Sequence, residues 1–424
     1  MPSWMVGIDT GGTFTDLIAY EVHSREIRVG KISSTPEDPS TAVIAVLKDL
    51  IVNTFEPSDL KTLVHGTTVA TNAILEGKGS KTALFINEGF RAVYEARGWA
   101  QPKNKTDLID PFYQKPPMLV PQHLTYGIPG RLDYTGVELT PLDETAVRKA
   151  GLKLKNQEIE AIAICYLFSF KNAKHEERTA EILREISDQW RISLSSQILP
   201  TIREYPRQST TVIDAYIGPP IQKYLETLFT KLDHIGIKTP QKFLMQSNGG
   251  LMRMNVGARF PNQTLLSGPA GAVVAGMELA NLTNFQEMVT LDMGGTSTDI
   301  SIISNGNVTE VNEGQIADQD IGTPMLEVRT LGAGGGTIAA IGSDGLLKVG
   351  PESAGANPGP ACYGLGGLNP TVTDANLVLG TLDKSNVLGG SMSLDKKSAE
   401  NSIKDKIAIP LGITLTDAAA GILR

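Results

Sequence analysis

One eight-residue motif occurs twice in this chain, and that duplication restricts the possible folds more than any other feature. Residues 9–16 read Asp-Thr-Gly-Gly-Thr-Phe-Thr-Asp and residues 292–299 read Asp-Met-Gly-Gly-Thr-Ser-Thr-Asp. Both aspartates, both glycines and both threonines recur at the same places. Each copy follows an apolar, β-prone run and precedes a second one, Leu17–Ala19 after the first copy and Ile300–Ile303 after the second. Each therefore reads as a hairpin that turns at Gly-Gly.

Glycine at a hairpin tip has no Cβ, so main-chain N–H groups can approach phosphate oxygens closely. Threonine hydroxyls add donors for the same oxygens. An aspartate ending the first strand can hold Mg2+, usually through water, and that ion neutralises a polyphosphate. Two such hairpins face to face would clamp the β- and γ-phosphates of ATP from both sides of a cleft. A single Gly-Gly turn is as readily a plain turn; the repetition favours the nucleotide. Thr10, Gly11, Gly12, Thr13, Gly294, Gly295 and Thr296 are the expected cradle. Asp9 and Asp292 are the expected magnesium and catalytic carboxylates, while Asp16 and Asp299 read as hairpin caps. Neither a P-loop motif nor a Gly-x-Gly-x-x-Gly opening a helix occurs, so the expected nucleotide site is of neither kind.

Around these motifs the chain reads as strand, turn, strand, turn, strand over Met5–Ser33, then a helix over Pro39–Asn53 with apolar residues at helical spacing. That order suits an α/β fold of the actin-like ATPase or sugar-kinase type (ribonuclease H-like), with mixed sheets and flanking helices. Two lobes are expected: 1–200 with the first hairpin and a Pro-rich excursion at 98–141, and 201–424 with the second hairpin and a glycine-dense stretch over 332–367. Leu266–Gly276 is rich in Gly and Ala, which permits close packing where the lobes cross. Ile213–Asp233 reads as a long helix, and Leu394–Leu423 as mostly helical, stopping without a capping signal. The ending suggests a fragment, or a remainder supplied by another polypeptide.

The net charge of −8 offers no basic footprint for nucleic acid. No apolar run is long enough to cross a bilayer, and the N-terminus lacks a signal-peptide layout. Two cysteines, Cys165 and Cys362, give no disulfide framework, so a reducing, cytoplasmic home is expected. His65 opens a Thr-rich turn and is a candidate for touching substrate, with a purely structural place as the alternative. His23, His123, His175 and His234 have no ligand-like spacing. Arg203, Glu204 and Arg207 read as a solvated charge cluster.

Several stretches together resemble the hydantoinase A/5-oxoprolinase family (N-methylhydantoinase A-like subunits). They are Val6–Asp16, His65–Asn72, Ser267–Gly271, Asp292–Ser301, Gly332–Gly336, Gly350-Pro351-Glu352-Ser353-Ala354-Gly355-Ala356, Pro358–Gly364 and Pro370–Asn376, covering nearly the whole chain in order. The resemblance implies ATP- and Mg2+-dependent opening of a cyclic amide such as a hydantoin, 5-oxoproline or another lactam. It also implies a hydantoinase B-like partner subunit and an oligomer. Gly334 and Gly335 are expected to bring main-chain donors to the nucleotide or substrate, unless their run is a plain interlobe loop. Relatives in the family are subunits of ATP-dependent ketone carboxylases, a second reading; a chaperone-type ATPase is a third. Family members usually carry an arginine after the 358–364 motif, where this chain has Leu365. They also continue beyond this point with a further glycine turn that helps bind adenosine.

Overall fold

The computed structural model describes residues 2–35, 37–97, 117–355, 357–384 and 393–424. Part of the Pro-rich excursion, 98–116, lies outside the described residues.

The chain opens with β1 (Trp4–Thr10), β2 (Phe14–Glu21) and β3 (Ile27–Ser33), followed by α1 (Pro39–Thr54) and β4 (Leu60–Thr67). Strand alternation puts Trp4, Val6, Ile8 and Thr10 on one face of β1. Helix α1 covers that face; Asp38 caps its N-terminus by accepting from Ser40 N, Pro39 fills its first turn, and Val43, Val46, Leu47 and Leu50 enter the core. Each such aliphatic side chain stabilises the fold by about 1.5–3 kcal/mol through burial.

Helix α2 (Val69–Leu75) leads into a second sheet built from β5 (Thr82–Asn87), β6 (Thr125–Ile128), β7 (Ala161–Cys165) and β8 (Arg191–Leu194), with α3 (Glu144–Lys155) and α4 (Lys174–Ile186) between them. Its order is β8-β7-β5-β6, all parallel. The strands β5 and β7 are buried throughout, as a parallel sheet covered on both faces requires.

Helix α5 (Glu204–His234) joins the two sheets. Its N-terminal half (Val212, Ala215) packs into the core of the second sheet, and its C-terminal half (Ile217, Ile221, Leu225, Leu228, Leu232) into that of the first. It begins well before the expected Ile213, because Pro206 falls in its first turn, where a missing N–H costs nothing. This overturns the reading of Arg207 as solvated. Arg207 is 1% exposed, donates to the carbonyls of Tyr166 (2.7 Å) and Thr201 (2.9 Å), and lies over the Phe170 ring.

After α5 come β9 (Gln241–Met245) and β10 (Leu251–Arg253), which return to the first sheet and give it the order β10-β9-β4-β1-β2-β3. The expected division at position 200 is therefore not where the sheets part, since the N-terminal sheet recruits strands from beyond it. Helix α6 (Ser267–Thr283) then crosses to a third sheet, formed by β11 (Met288–Met293), β12 (Thr298–Ser304), β13 (Asn307–Val308) and β14 (Arg329–Leu331). A β-ribbon, β15 (Thr337–Ile341) with β16 (Leu347–Ser353), and helices α7 (Val372–Leu379), α8 (Lys396–Ile403) and α9 (Leu415–Leu423) close the chain around a small separate core. The fold is mixed α/β, as expected, with a mixed first sheet, a parallel second and an antiparallel third. Among the described residues no single helix is long and apolar enough to cross a membrane.

Replacing Arg207 by methionine keeps most of the bulk but strands the buried carbonyl of Tyr166 and removes the bond to Thr201 O. We expect Arg207→Met to destabilise the protein by about 2–4 kcal/mol in urea titrations; a change below about 0.5 kcal/mol would place Arg207 at the surface after all.

Candidate functional site

The two copies of the motif fold identically. Asp9 stands opposite Asp16 and Thr10 opposite Thr15 in the first hairpin; Asp292 stands opposite Asp299 and Met293 opposite Thr298 in the second. In each, the first glycine donates across the turn, Gly11 N to Phe14 O at 3.0 Å and Gly294 N to Ser297 O at 2.9 Å. Ser34 straps the first tip, its N–H donating to Thr13 O and its hydroxyl to Gly11 O.

The tips converge. A Cβ placed on Gly295 would lie 3.0 Å from Thr13 Oγ1, so a side chain there would crowd the opposite tip. Around the junction the N–H groups of Gly12, Thr13, Gly295 and Thr296 have no acceptor among the described residues. Four unspent donors at the meeting of two hairpins suit a ligand rich in oxygen acceptors.

Asp9 stands exposed beside this junction, with two glycines packed closely against its carboxylate. A Cβ on Gly66, in β4, would come within 2.7 Å of Asp9 Oδ1, and one on Gly268, in the first turn of α6, within 3.2 Å. Glycine at these two positions is what leaves room for the carboxylate. Burial, reinforced by the charges of Asp16 and Asp292 and opposed by Lys31, raises its pKa to about 6. Burial, with a contribution from Asp292, also raises that of Asp299, although Thr330 Oγ1 donates to it at 2.5 Å. Asp16 pairs with Lys31 at 2.6 Å. Four carboxylates and one nearby lysine leave the crevice short of positive charge, the condition a hard cation relieves. Asp9 and Asp292, supplemented by water, fit Mg2+. No cluster of three or more His, Cys, Asp or Glu with metal-holding geometry occurs among the described residues.

Four expected site residues, Thr10, Gly334, Gly335 and His65, do not face the junction. Thr10 sits on the α1 side of β1, pointing away from Asp9 by strand alternation, and its buried hydroxyl has no partner. Gly334 and Gly335 do reach the second tip, but their N–H groups are spent: Gly334 N on Thr337 Oγ1 (2.7 Å) and Gly335 N on Gly294 O (2.9 Å), with Gly336 N on Gly295 O (2.6 Å). The run has no Cβ because it is pressed against the hairpin, with Ser297 N 2.7 Å from where a Gly334 Cβ would be. It braces the tip and donates nothing outward.

His65 is buried between β1 and α5. Its Nδ1 faces Ile8 O at 3.2 Å and its Nε2 faces the Tyr224 hydroxyl at 2.6 Å, so Nδ1 carries the proton and Nε2 accepts from tyrosine. Burial lowers its pKa to about 4, opposed by the Ile8 bond. With both nitrogens engaged, His65 positions β1 against α5 and cannot meet a substrate. The sequence reading overlooked Gly66, Gly268, Lys31 and Ser34; the first two lie inside short motifs already conspicuous for their glycines.

Residues 5–187 match the hydantoinase/oxoprolinase N-terminal region, and residues 207–424 match hydantoinase/oxoprolinase. The chain belongs to the hydantoinase/oxoprolinase family. It is 40% identical over 425 residues to the caprolactamase subunit alpha of Pseudomonas jessenii, a match covering 99% of this chain and 60% of that one. Among solved structures, the ATP-dependent caprolactamase of Pseudomonas jessenii is similar at 38% identity and TM-score 0.79, over 99% of this chain and 61% of that chain. An acetone carboxylase in its nucleotide-free structure is similar at 30% identity and TM-score 0.85, over 100% of this chain and 61% of that chain. This member of the family thus spans about three fifths of the length of these relatives.

A depressed histidine pKa fixes the sign of one pH effect. Unfolded His65 takes up its proton near pH 6.5 and folded His65 only near pH 4, so its contribution is intact above 6.5 and lost as pH falls toward 4. We expect about 2–3 kcal/mol of stability to disappear across that window and His65→Gln to flatten it in denaturant titrations. An unchanged slope in the variant would contradict the buried, neutral assignment.

Proposed function

We propose that this chain is the nucleotide-gripping part of a cytoplasmic, ATP-dependent enzyme that opens a cyclic amide, working with a hydantoinase B-like subunit in an oligomeric complex. The carrying observation is the junction of the two glycine tips, Gly295 against Thr13, with unspent N–H donors and the carboxylates of Asp9 and Asp292 around one crevice. The 40% identity to a caprolactamase subunit supports a lactam as the ring.

An amide carbonyl is a poor electrophile because resonance stabilises it. Bound Mg2+–ATP would give its γ-phosphoryl to the amide oxygen and leave as ADP, while the ion would offset the charge on the phosphates. Water would then add to the activated carbon, the ring C–N bond would break with the nitrogen leaving as an amine, and the phosphate would be released by hydrolysis. The protein's part is position and charge. Asp9 and Asp292 would hold the ion through water, with Gly66 and Gly268 leaving the space that Asp9 needs. The N–H groups of Gly12, Thr13, Gly295 and Thr296 would hold phosphate oxygens. Lys31 keeps Asp16 paired, and the Gly334–Gly336 brace fixes the second tip.

A second reading, ATP-dependent carboxylation of a ketone, is favoured by the TM-score of 0.85 to acetone carboxylase. Phosphate release from ATP separates the two when this chain is combined with a B-type subunit. We expect ε-caprolactam or 5-oxoproline to stimulate release; stimulation by acetone with bicarbonate alone would favour the second reading, and stimulation by neither would overturn both. The chain by itself is expected to bind ATP weakly and turn nothing over, so turnover by the purified 424-residue chain would contradict this account. Gly295→Val should lower stimulated release by about tenfold or more, because its side chain would hold the two tips apart.

A further inference from the structure

One cavity shares no residue with the hairpin junction and has a lining of unusual charge. It holds about 340 Å3, near the lower end of the range of about 300–1,000 Å3 for small-molecule sites. It opens where the outer edge of the second sheet meets the turn at 258–260 that follows β10. Arg184 from the last turn of α4, Arg191 from β8 and Arg259 from that turn line it, against one carboxylate, Asp214 of α5. In a chain of net charge −8 this is a local surplus of cations.

Arg191 is fixed in place. Its guanidinium donates to Ala258 O at 2.7 Å and Arg259 O at 3.0 Å, which ties β8 to the turn. It also meets Asp214 Oδ2 at 3.3 Å, where Ser193 Oγ donates at 2.6 Å, so Asp214 is already paired. The side chain lies against α5 at Gly218, where a Cβ would overlap Arg191 Nε. Glycine inside a helix costs about 1 kcal/mol, and here it seats this arginine. Arg184 and Arg259 differ: both are exposed, and neither has an acidic partner among the described residues.

The strand adds main-chain donors. Arg191 N donates to Glu160 O, toward β7, so by alternation the N–H groups of Ile192 and Leu194 face the opposite edge of β8. Among the described residues β8 pairs with β7 alone, and neither N–H has an acceptor there. Both residues line the cavity. The edge of a sheet with free N–H groups is a place for an anion. Residues two apart on a strand are separated by about 6.6 Å, too far for a single phosphate group to take both, but within reach of two carboxylates joined by a short carbon chain. Guanidinium groups match carboxylates through paired, parallel bonds.

We propose that this cavity is a binding site for a small dicarboxylate, held by Arg184, Arg259 and the N–H groups of Ile192 and Leu194. Bound there, the ligand joins α4 and β8 to the turn at 258–260, the seam that Arg191 already crosses, and so stiffens the contact between the first two sheets. The inference is independent of the proposed function.

The test titrates the intact chain calorimetrically with glutarate at fixed ionic strength. We expect saturable binding with a Kd of about 1 mM or tighter, and slower hydrogen exchange at Arg191–Leu194 in the complex. Arg184→Gln and Arg259→Gln, at exposed positions with no ion pair to lose, should each weaken binding by about tenfold or more. Arg329→Gln, at an exposed arginine of the third sheet, should not. Gly295→Val should leave glutarate binding intact, so a failure of the nucleotide reading and a failure of this one are told apart. Absence of saturation, equal loss with Arg329→Gln, or loss with Gly295→Val would overturn the proposal. So would inorganic phosphate binding more tightly than glutarate in a manner that depends on Arg184 and Arg259.

Discussion

The approach of two main-chain tips, Gly12-Thr13 from one hairpin and Gly295-Thr296 from the other, is the constraint on which the rest of the structure depends. Neither tip could come this close with a side chain at position 295, since a Cβ there already stands 3.0 Å from Thr13 Oγ1. Every element near the junction serves to hold it. Ser34 straps the first tip, Gly334–Gly336 brace the second, and α6 begins against Asp9 before running to the third sheet. Leu266, just ahead of α6, takes a left-handed conformation (φ 54°) unusual for leucine, a local strain that the surrounding packing must offset.

Electrostatics at the junction follow from the same geometry. Bringing the hairpins together also brings their terminal aspartates together, and like charges in a crowded place disfavour ionisation. Asp9 feels both its own hairpin partner, Asp16, and Asp292 from the other hairpin. That coupling through space follows from the same approach of the two hairpins. Gathered carboxylates beside free N–H donors suit a cation carried by a polyphosphate, which under the proposed function is Mg2+–ATP.

Much of this was legible in the residues. The repeat announced two equivalent hairpins, because identity at Asp, Gly and Thr fixes both the turn and the strand ends; helical spacing announced α1 and most of α5. What escaped was long-range. The surroundings of Arg207 depend on a helix start packed against the second sheet, which local charge spacing cannot reveal. His65 carries a chemically versatile ring, and only the pairing of β4 with β1 together with the packing of Tyr224 from α5 shows both nitrogens already occupied. Gly334 and Gly335 were recognised as glycines that matter, but whether such a run offers its N–H groups to a ligand or spends them on a neighbour is a tertiary question. Asp374 belongs here too: buried, it accepts from the main chain of Ala361, Cys362 and Thr371, and so ties a loop to α7.

That two hairpins separated by most of the chain grip one nucleotide is open to a direct thermodynamic measurement. Mg2+–ATP affinity would be determined calorimetrically for the parent, Asp9→Asn, Asp292→Asn and the double variant. If both carboxylates serve a single bound ion, the losses are strongly non-additive, with a coupling of about 1 kcal/mol or more. Losses that add to within about 0.5 kcal/mol would mean that the two hairpins act on separate ligands, and the shared crevice would no longer account for binding.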